Sequence, residues 1–285
     1  MKLKLQLIFL FFSFLSLNAE DLRLQIEQLS KDISTYKIID VRPTVEYEKG
    51  HIKNALTFPI ALTYNDKSVN GRLTEPNKMQ EILRKQGLDV NDQVVIYDDG
   101  TYFDAARLFW SLEVYGFKHV KLLNGGFEEW SDLDLPISKE NTETKESAYI
   151  ASVDNKKLAT KFSTQIATKS PFMLIMDARS YNAYIGEESN AKRFGHIPEA
   201  ISRPAIHNIS SSNNFSKLKD IKELEELYKD VDKSKKIISY CDIGRVSSSN
   251  YFALRQLGYD VANYDASWKE WGNDTELPIV TISKK

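Results

Sequence analysis

Motifs in the first half of this chain return in the same order in the second, and this repetition narrows the fold more than any other feature. Ile38-Ile39-Asp40-Val41-Arg42 reappears as Leu174-Ile175-Met176-Asp177-Ala178-Arg179, and Gly50-His51-Ile52 with Ala55 reappears as Gly195-His196-Ile197-Pro198 with Ala200. Val94-Val95-Ile96-Tyr97 matches Ile237-Ile238-Ser239-Tyr240, and Tyr115-Gly116-Phe117 matches Leu257-Gly258-Tyr259. Phe127-Glu128-Glu129-Trp130 matches Trp268-Lys269-Glu270-Trp271. The offset stays near about 140 residues, the size of a domain rather than of a solenoid repeat. A duplicated domain is the economical reading, and 285 residues suffice for two cores.

Each copy alternates short β-branched runs with helical stretches. Lys37–Val41, Gln93–Tyr97 and Val120–Leu123 are predicted strands in copy one, with helices over Lys78–Gln86 and Asp104–Val114 stopped by Gly87 and Gly116. Copy two predicts strands Met173–Asp177, Lys236–Tyr240 and Asp260–Tyr264, with helices Ile221–Tyr228 and Ser247–Leu257. This alternation implies an α/β fold, a parallel sheet flanked by helices in each copy, with ligands at the carboxyl ends of the strands. The polar Ser138–Ser147 segment is predicted to connect the copies, and Asn208–Ser216 to be a Ser/Asn-rich surface loop.

Interspersed charges with a formal net charge of −2 exclude the electrostatic footprint of a nucleic-acid binder. At the N-terminus, Lys2 and Lys4 precede an apolar run from Leu7 to Leu17, and Ala19 stands just before Glu20-Asp21. That order predicts a secretory signal over residues 1–19, an exported protein placed in the periplasm, and no stable membrane insertion after cleavage. The run of about eleven residues falls short of the roughly 20 that span a bilayer. Such a compartment is oxidising, yet the chain holds one cysteine, Cys241, and so no internal disulfide. The thiol is either buried and inert or it is used.

Cys241 directly follows the predicted strand Ile237–Tyr240, and Asp242-Ile243-Gly244-Arg245-Val246 leads to a helix opening at Ser247-Ser248-Ser249. A strand, a tight loop and a helix N-terminus around one thiol bring loop N–H groups and the positive helix end toward the sulfur, which favours an anion. Gly244 allows the curl, and Arg245 is expected to add a fixed positive charge beside the sulfur for an anionic substrate. A lone cysteine after an apolar strand is otherwise a small buried hydrophobe.

Taken together and in order, these motifs resemble those of tandem-rhodanese sulfurtransferases, the group containing thiosulfate and 3-mercaptopyruvate sulfurtransferases. They are Asp177-Ala178-Arg179 with Gly195-His196-Ile197-Pro198, the loop Cys241–Val246, and the closing Asn124-Gly125-Gly126-Phe127 and Tyr264-Asp265-Ala266-Ser267-Trp268. The resemblance covers nearly the whole mature chain and implies two rhodanese-like domains arising from an internal duplication. These are an inactive one over 22–138 and a catalytic one over 152–282, joined by a linker over 139–151. It implies that Cys241 carries sulfane sulfur as a persulfide from a small-molecule donor to a thiophilic acceptor, with no cofactor or metal. Asp242, Ile243, Gly244, Arg245 and Val246 are then substrate-binding. A monomer is expected.

Copy one has Asp98 where copy two has Cys241, so it is expected to be silent. His51 and His196 recur in both copies, including the one lacking a nucleophile, and so read as architecture rather than as bases. Arg42 and Arg179 read as braces for the same reason. His119 and His207 are isolated, without metal-site spacing. Trp268 and Trp271 read as core, and the resemblance also admits Trp268 as a wall of the pocket mouth. Two departures bear on the donor. Relatives commonly carry an arginine at the position of Ala183, and a basic residue or glycine at the position of Asp242. Arg245 is the expected compensation, with Arg193 a further candidate. A phosphatase of this fold would need a longer loop ending in Arg, whereas the sixth residue after Cys241 is Ser247. A redox-sensing thiol would lack a resolving cysteine. A sulfur carrier without turnover remains as the alternative.

Overall fold

The computed structural model describes residues 21–66, 71–212 and 215–282, so the expected signal over 1–19 lies outside the described residues. Copy one contains strands β1 (Arg23–Gln25), β2 (Lys37–Asp40), β3 (His51–Ile52), β4 (Leu56–Thr57), β5 (Gln93–Tyr97), β6 (His119–Asn124) and β7 (Ile137–Ser138). Its helices are α1 (Ile26–Lys31), α2 (Thr44–Lys49), α3 (Pro76–Lys85), α4 (Phe103–Val114) and α5 (Gly126–Asp132). Copy two contains β8 (Leu158–Ala159), β9 (Met173–Asp177), β10 (Ala200–Ser202), β11 (Ile209–Ser212), β12 (Phe215–Leu218), β13 (Lys236–Tyr240) and β14 (Val261–Tyr264). Its helices are α6 (Lys161–Ala167), α7 (Tyr181–Ile185), α8 (Ile221–Leu227), α9 (Ser247–Gln256) and α10 (Ser267–Trp271).

The main sheets run β1-β6-β5-β2-β4 and β10-β9-β13-β14-β8, the same order read from opposite edges, and all their pairings are parallel. The central strands are buried on both faces, which is why Ile38-Ile39 and Val94-Val95-Ile96 are continuous β-branched runs instead of alternating ones. Helix starts follow local chemistry. Asp220 and Glu223 form a reciprocal capping box for α8, Thr160 and Ser163 form one for α6, and Pro76 sits in the first turn of α3.

The duplication extends to side-chain networks. In copy one Arg42 donates to both carboxylate oxygens of Asp40 and to Gly50 O, while Tyr97 donates to Asp40 and accepts from Ile52 N. In copy two Arg179, Asp177, Gly195, Tyr240 and Ile197 repeat each bond. His51 stacks on Tyr47 with Nδ1 2.9 Å from Tyr47 O, and His196 stacks on Tyr184 with Nδ1 2.6 Å from Tyr184 O. These contacts fit the architectural reading of both histidines and of Arg42.

The copies share one apolar seam. Helix α4 packs on α9, with Phe109 edge-on to Phe252 at 5.0 Å and near Tyr251, and the seam is flanked by Glu113, which accepts from Tyr251 and Arg255. One sequence expectation gains detail and one changes. Residues 139–157 hold no helix or strand, as expected of a connector, and they are strapped to copy one. Tyr149 is buried and donates to Tyr115 O, Ser147 donates to Leu88 O, and Arg84 donates to Tyr149 O. Asn208–Ser216 is not a loop. Most of it belongs to the antiparallel pair β11–β12, anchored by buried Leu218 and by Lys217, which reaches Glu129 of copy one. Its serines and asparagines have turn composition, which hides the pairing.

Candidate active site

Strand β13 ends at Tyr240 and hands the chain to Cys241, which is 1% exposed and packed among Ala178, Ala205, Phe103 and Val246. The loop is clamped from the next strand–helix junction. The N–H groups of Cys241 and Gly244 both donate to Ser267 Oγ at 3.1 Å, and Ser267 donates to Tyr264 O. Those two N–H groups are therefore spent on the clamp instead of pointing at the sulfur, which narrows the expected convergence. Trp268 N and Lys269 N bind the carbonyls of Cys241 and Asp242. Ser267 adopts φ 53°, a left-handed conformation that a serine holds only when its surroundings impose it. Gly244 sits at φ 69°, and a Cβ there would lie 2.7 Å from Asp265 Cα, so only glycine fits.

Helix α9 begins directly beyond the thiol. Ser247 Oγ lies 3.4 Å from Cys241 Sγ and 2.6 Å from Asn263 Oδ1. Its single hydrogen can serve either acceptor, so a donor stands ready for charge on the sulfur. Asn263 donates in turn to Gly244 O and Ser248 Oγ, fixing the loop to β14.

The surroundings of the sulfur correct several expectations. Arg245 lines a cavity of about 440 Å³ with Cys241, Asp242, Ile243, Val246, Asn190 and Lys269. Its Nε and Nη2, however, grip both oxygens of Asp104 in copy one at 2.5 and 2.9 Å. The charge expected to serve the donor is thus already paired across the domain boundary. Asp242 pairs with neither arginine, and its Oδ2 accepts from Asn190 at 2.9 Å. Burial pushes its carboxyl above the usual range, against the opposing pull of Asn190 and Arg179. Arg193 does not reach the loop, because its guanidinium is consumed by the carbonyls of Trp271, Gly272, Asp274 and Leu277. Trp268 does not wall the mouth. It is fully buried, donates to Ser189 and lies under the Arg179 guanidinium at 4.4 Å. Arg179 is more than a brace, since it also lines an adjoining cleft of about 650 Å³ with Ala183, Glu188, Asn190, Asp242 and Phe103.

Copy one carries Asp98 at the position equivalent to the thiol. Its carboxylate accepts from the N–H groups of Gly100, Tyr102 and Ala105. Burial and neighbouring Asp99 outweigh those bonds and raise its pKa to about 6.

Sequence reasoning missed the residues that copy one lends to the loop. Phe103, Asp104 and Arg107 all stand on α4. Arg107 is fully buried and donates to Ile243 O, Gly244 O, Gly71 O and Thr63 Oγ1. A Cβ at Gly71 would collide with the carbonyls of Ile243 and Asp265, so the first copy meets the thiol loop backbone to backbone. The available signal was Arg107 itself, a lone cation inside the apolar run of α4.

A duplicated α/β fold with one thiol at the carboxyl end of a parallel strand, closed over by the copy that lacks it, defines a tandem protein with a single-cysteine site. The rhodanese-like domain matches residues 23–133 and 158–274, once per copy. A Haloferax volcanii protein named "Putative thiosulfate sulfurtransferase" is 29% identical over 266 residues, covering 89% of this chain and 92% of that protein. A Mycobacterium bovis relative with the same name and the suffix SseA is 32% identical over 250 residues, covering 82% and 81%. Among solved structures, wild-type EanB superposes with a TM-score of 0.82 at 22% identity, covering 94% of this chain and 71% of that one, a likeness of fold. The chain belongs to the rhodanese-like family in its tandem form and is an enzyme of the sulfurtransferase type.

Proposed function

We propose that the protein moves a sulfane sulfur from thiosulfate, 3-mercaptopyruvate or a related donor to a thiophilic acceptor through a persulfide on Cys241. The observation that carries this reading is the placement of Cys241 Sγ at the start of α9, 3.4 Å from the Ser247 hydroxyl, on a loop clamped by Ser267. The positive helix end and the hydroxyl both favour a negative sulfur. The Cys241 thiolate attacks the outer sulfur of thiosulfate, a Cys–S–S bond forms, the donor's S–S bond breaks, and sulfite departs with the electron pair. Cyanide or a thiolate then attacks the outer persulfide sulfur and restores the Cys241 thiolate. No oxidant enters, and the chemistry needs neither cofactor nor metal.

Asp98 accepts hydrogen bonds where the thiol would stand, but a carboxylate carries no sulfane sulfur, so copy one is catalytically silent and acts through α4. The sequence of residues 1–19 supports export to the periplasm with a mature start near Glu20, and the mature protein works there as a monomer. The test is thiocyanate release from thiosulfate and from 3-mercaptopyruvate by wild type and Cys241→Ser. The serine variant folds with an unchanged unfolding midpoint and loses transfer. Comparable turnover in the variant would refute the persulfide route.

A further inference from the structure

Two arginines stand beside the thiol, and Lys269 also lines its cavity. Arg245 is held bidentate by Asp104, and Arg179 is held bidentate by Asp177. Two carboxylates of the same cleft, by contrast, form no ion pair among the described residues. Asp242 is bound by Asn190, and Glu188 is bound by Ser180 and Asn182. Asp242 lines both the cleft and the thiol cavity, in the residue directly after Cys241. In the wall of that cleft, Arg179 keeps one unsatisfied group: its Nη1 is buried and has no hydrogen-bond partner among the described residues. The half-buried Asp242 beside the sulfur and the Arg179 guanidinium in the cleft wall form a polar pair of opposite sign. A ligand that satisfies both carries an ammonium group and a carboxylate.

We propose that the cleft selects a zwitterionic sulfur donor, an amino-acid persulfide in its simplest form, with Asp242 holding the ammonium group and Arg179 receiving the carboxylate. This rests on the sulfurtransferase reading above and names its donor class. The chemistry is the same transfer. The Cys241 thiolate attacks the outer sulfur of R–S–SH, the Cys–S bond forms as the R–S bond to that sulfur breaks, and R–S⁻ leaves and takes a proton from water. The transferred sulfur keeps its oxidation state. Asp242 is a specificity-determining residue here, because it touches the donor's charged group rather than the reacting sulfur.

The deciding comparison uses cysteine persulfide and 3-mercaptopropionate persulfide, which differ only by the ammonium group, with thiosulfate as the dianion. Wild-type protein uses the cysteine compound with a kcat/KM at least about tenfold higher, the difference residing in KM, as one charged hydrogen bond supplies. In Asp242→Asn that gap closes to within about twofold while thiosulfate improves, and Asp242→Glu restores the gap. Equal use of the two persulfides by wild type, or a gap that survives in Asp242→Asn, overturns the donor assignment. The intact mass of wild type after each donor separates the two levels. Absence of an added sulfur with every donor refutes the persulfide reading itself, whereas equal loading by all three refutes only the zwitterion.

Discussion

Replacing Arg107 with methionine asks whether copy one holds the Cys241 loop in shape. Removing a buried cation often costs little, and can stabilise, because its desolvation penalty disappears with it. The balance here turns on the acceptors. Gly244 O keeps bonds from Asn263 and Ser248, and Thr63 O keeps Thr74 N. The carbonyls of Ile243 and Gly71 have Arg107 as their hydrogen-bond donor among the described residues, the Gly71 bond buried at the junction of the copies and the Ile243 bond partly open to water. Stranding the buried Gly71 carbonyl costs about 1–3 kcal/mol, while the Ile243 carbonyl can turn to water, so the variant should lose about 1–3 kcal/mol. At roughly 2–4 °C per kcal/mol for a chain of this order of size, the unfolding midpoint falls by roughly 2–12 °C. Sulfur transfer, assayed well below both midpoints, should fall as well, because the Ile243–Gly244 segment is then unpinned beside the thiol. Calorimetry and steady-state kinetics on the same preparation check both parts. An unchanged or raised midpoint would show that the desolvation term wins, and unaltered kinetics would show that the loop keeps its shape without copy one.

Two further outcomes follow from pairs described above. Asp104→Asn removes the carboxylate that neutralises Arg245 and should lower KM for thiosulfate about three- to tenfold with kcat little changed, the equivalent of roughly 1 kcal/mol of recovered attraction; an unchanged KM would place the donor away from Arg245. Asp98 holds its proton more tightly folded than unfolded. Its contribution is therefore present at low pH and is lost as pH rises from the ordinary value of 3.8 to about 6, a decline of about 3 kcal/mol. Asp98→Asn should abolish that decline in urea unfolding across about pH 4–7 while turnover stays within a few fold; a several-hundred-fold loss of activity without unfolding would show that copy one takes part in the chemistry.

The buried parallel strands were legible because burial on both faces writes itself as an uninterrupted apolar run. Gln93–Tyr97, Met173–Asp177 and Lys236–Tyr240 agree with the sequence reading to the residue. Helix ends drifted where a cap overrode periodicity, as at α3, which starts two residues early on Pro76. The strand–loop–helix setting of Cys241 was legible for the same local reason. What the sequence hid arises between elements far apart in the chain. Asp104 meets Arg245, and Arg107 meets Ile243, only after the copies dock, and no local spacing encodes either contact. Arg193 was misjudged because it was placed near the loop while its guanidinium is consumed by other carbonyls, whereas Trp268 is core as read, its indole N–H spent on Ser189.

The reach of Arg107 across the junction sets an order of assembly. Synthesis runs from the N-terminus, so copy one is complete before Cys241 exists. Until the second copy arrives, the guanidinium lacks the Ile243 and Gly244 carbonyls that complete its shell, and the face of α4 that meets α9 lies bare. The half-made chain is thus a sticky intermediate with an uncovered charge on its apolar face. The Cys241 loop and its clasp mature in the same docking event, and a molecule with that loop in place is by construction one whose two halves have already found each other.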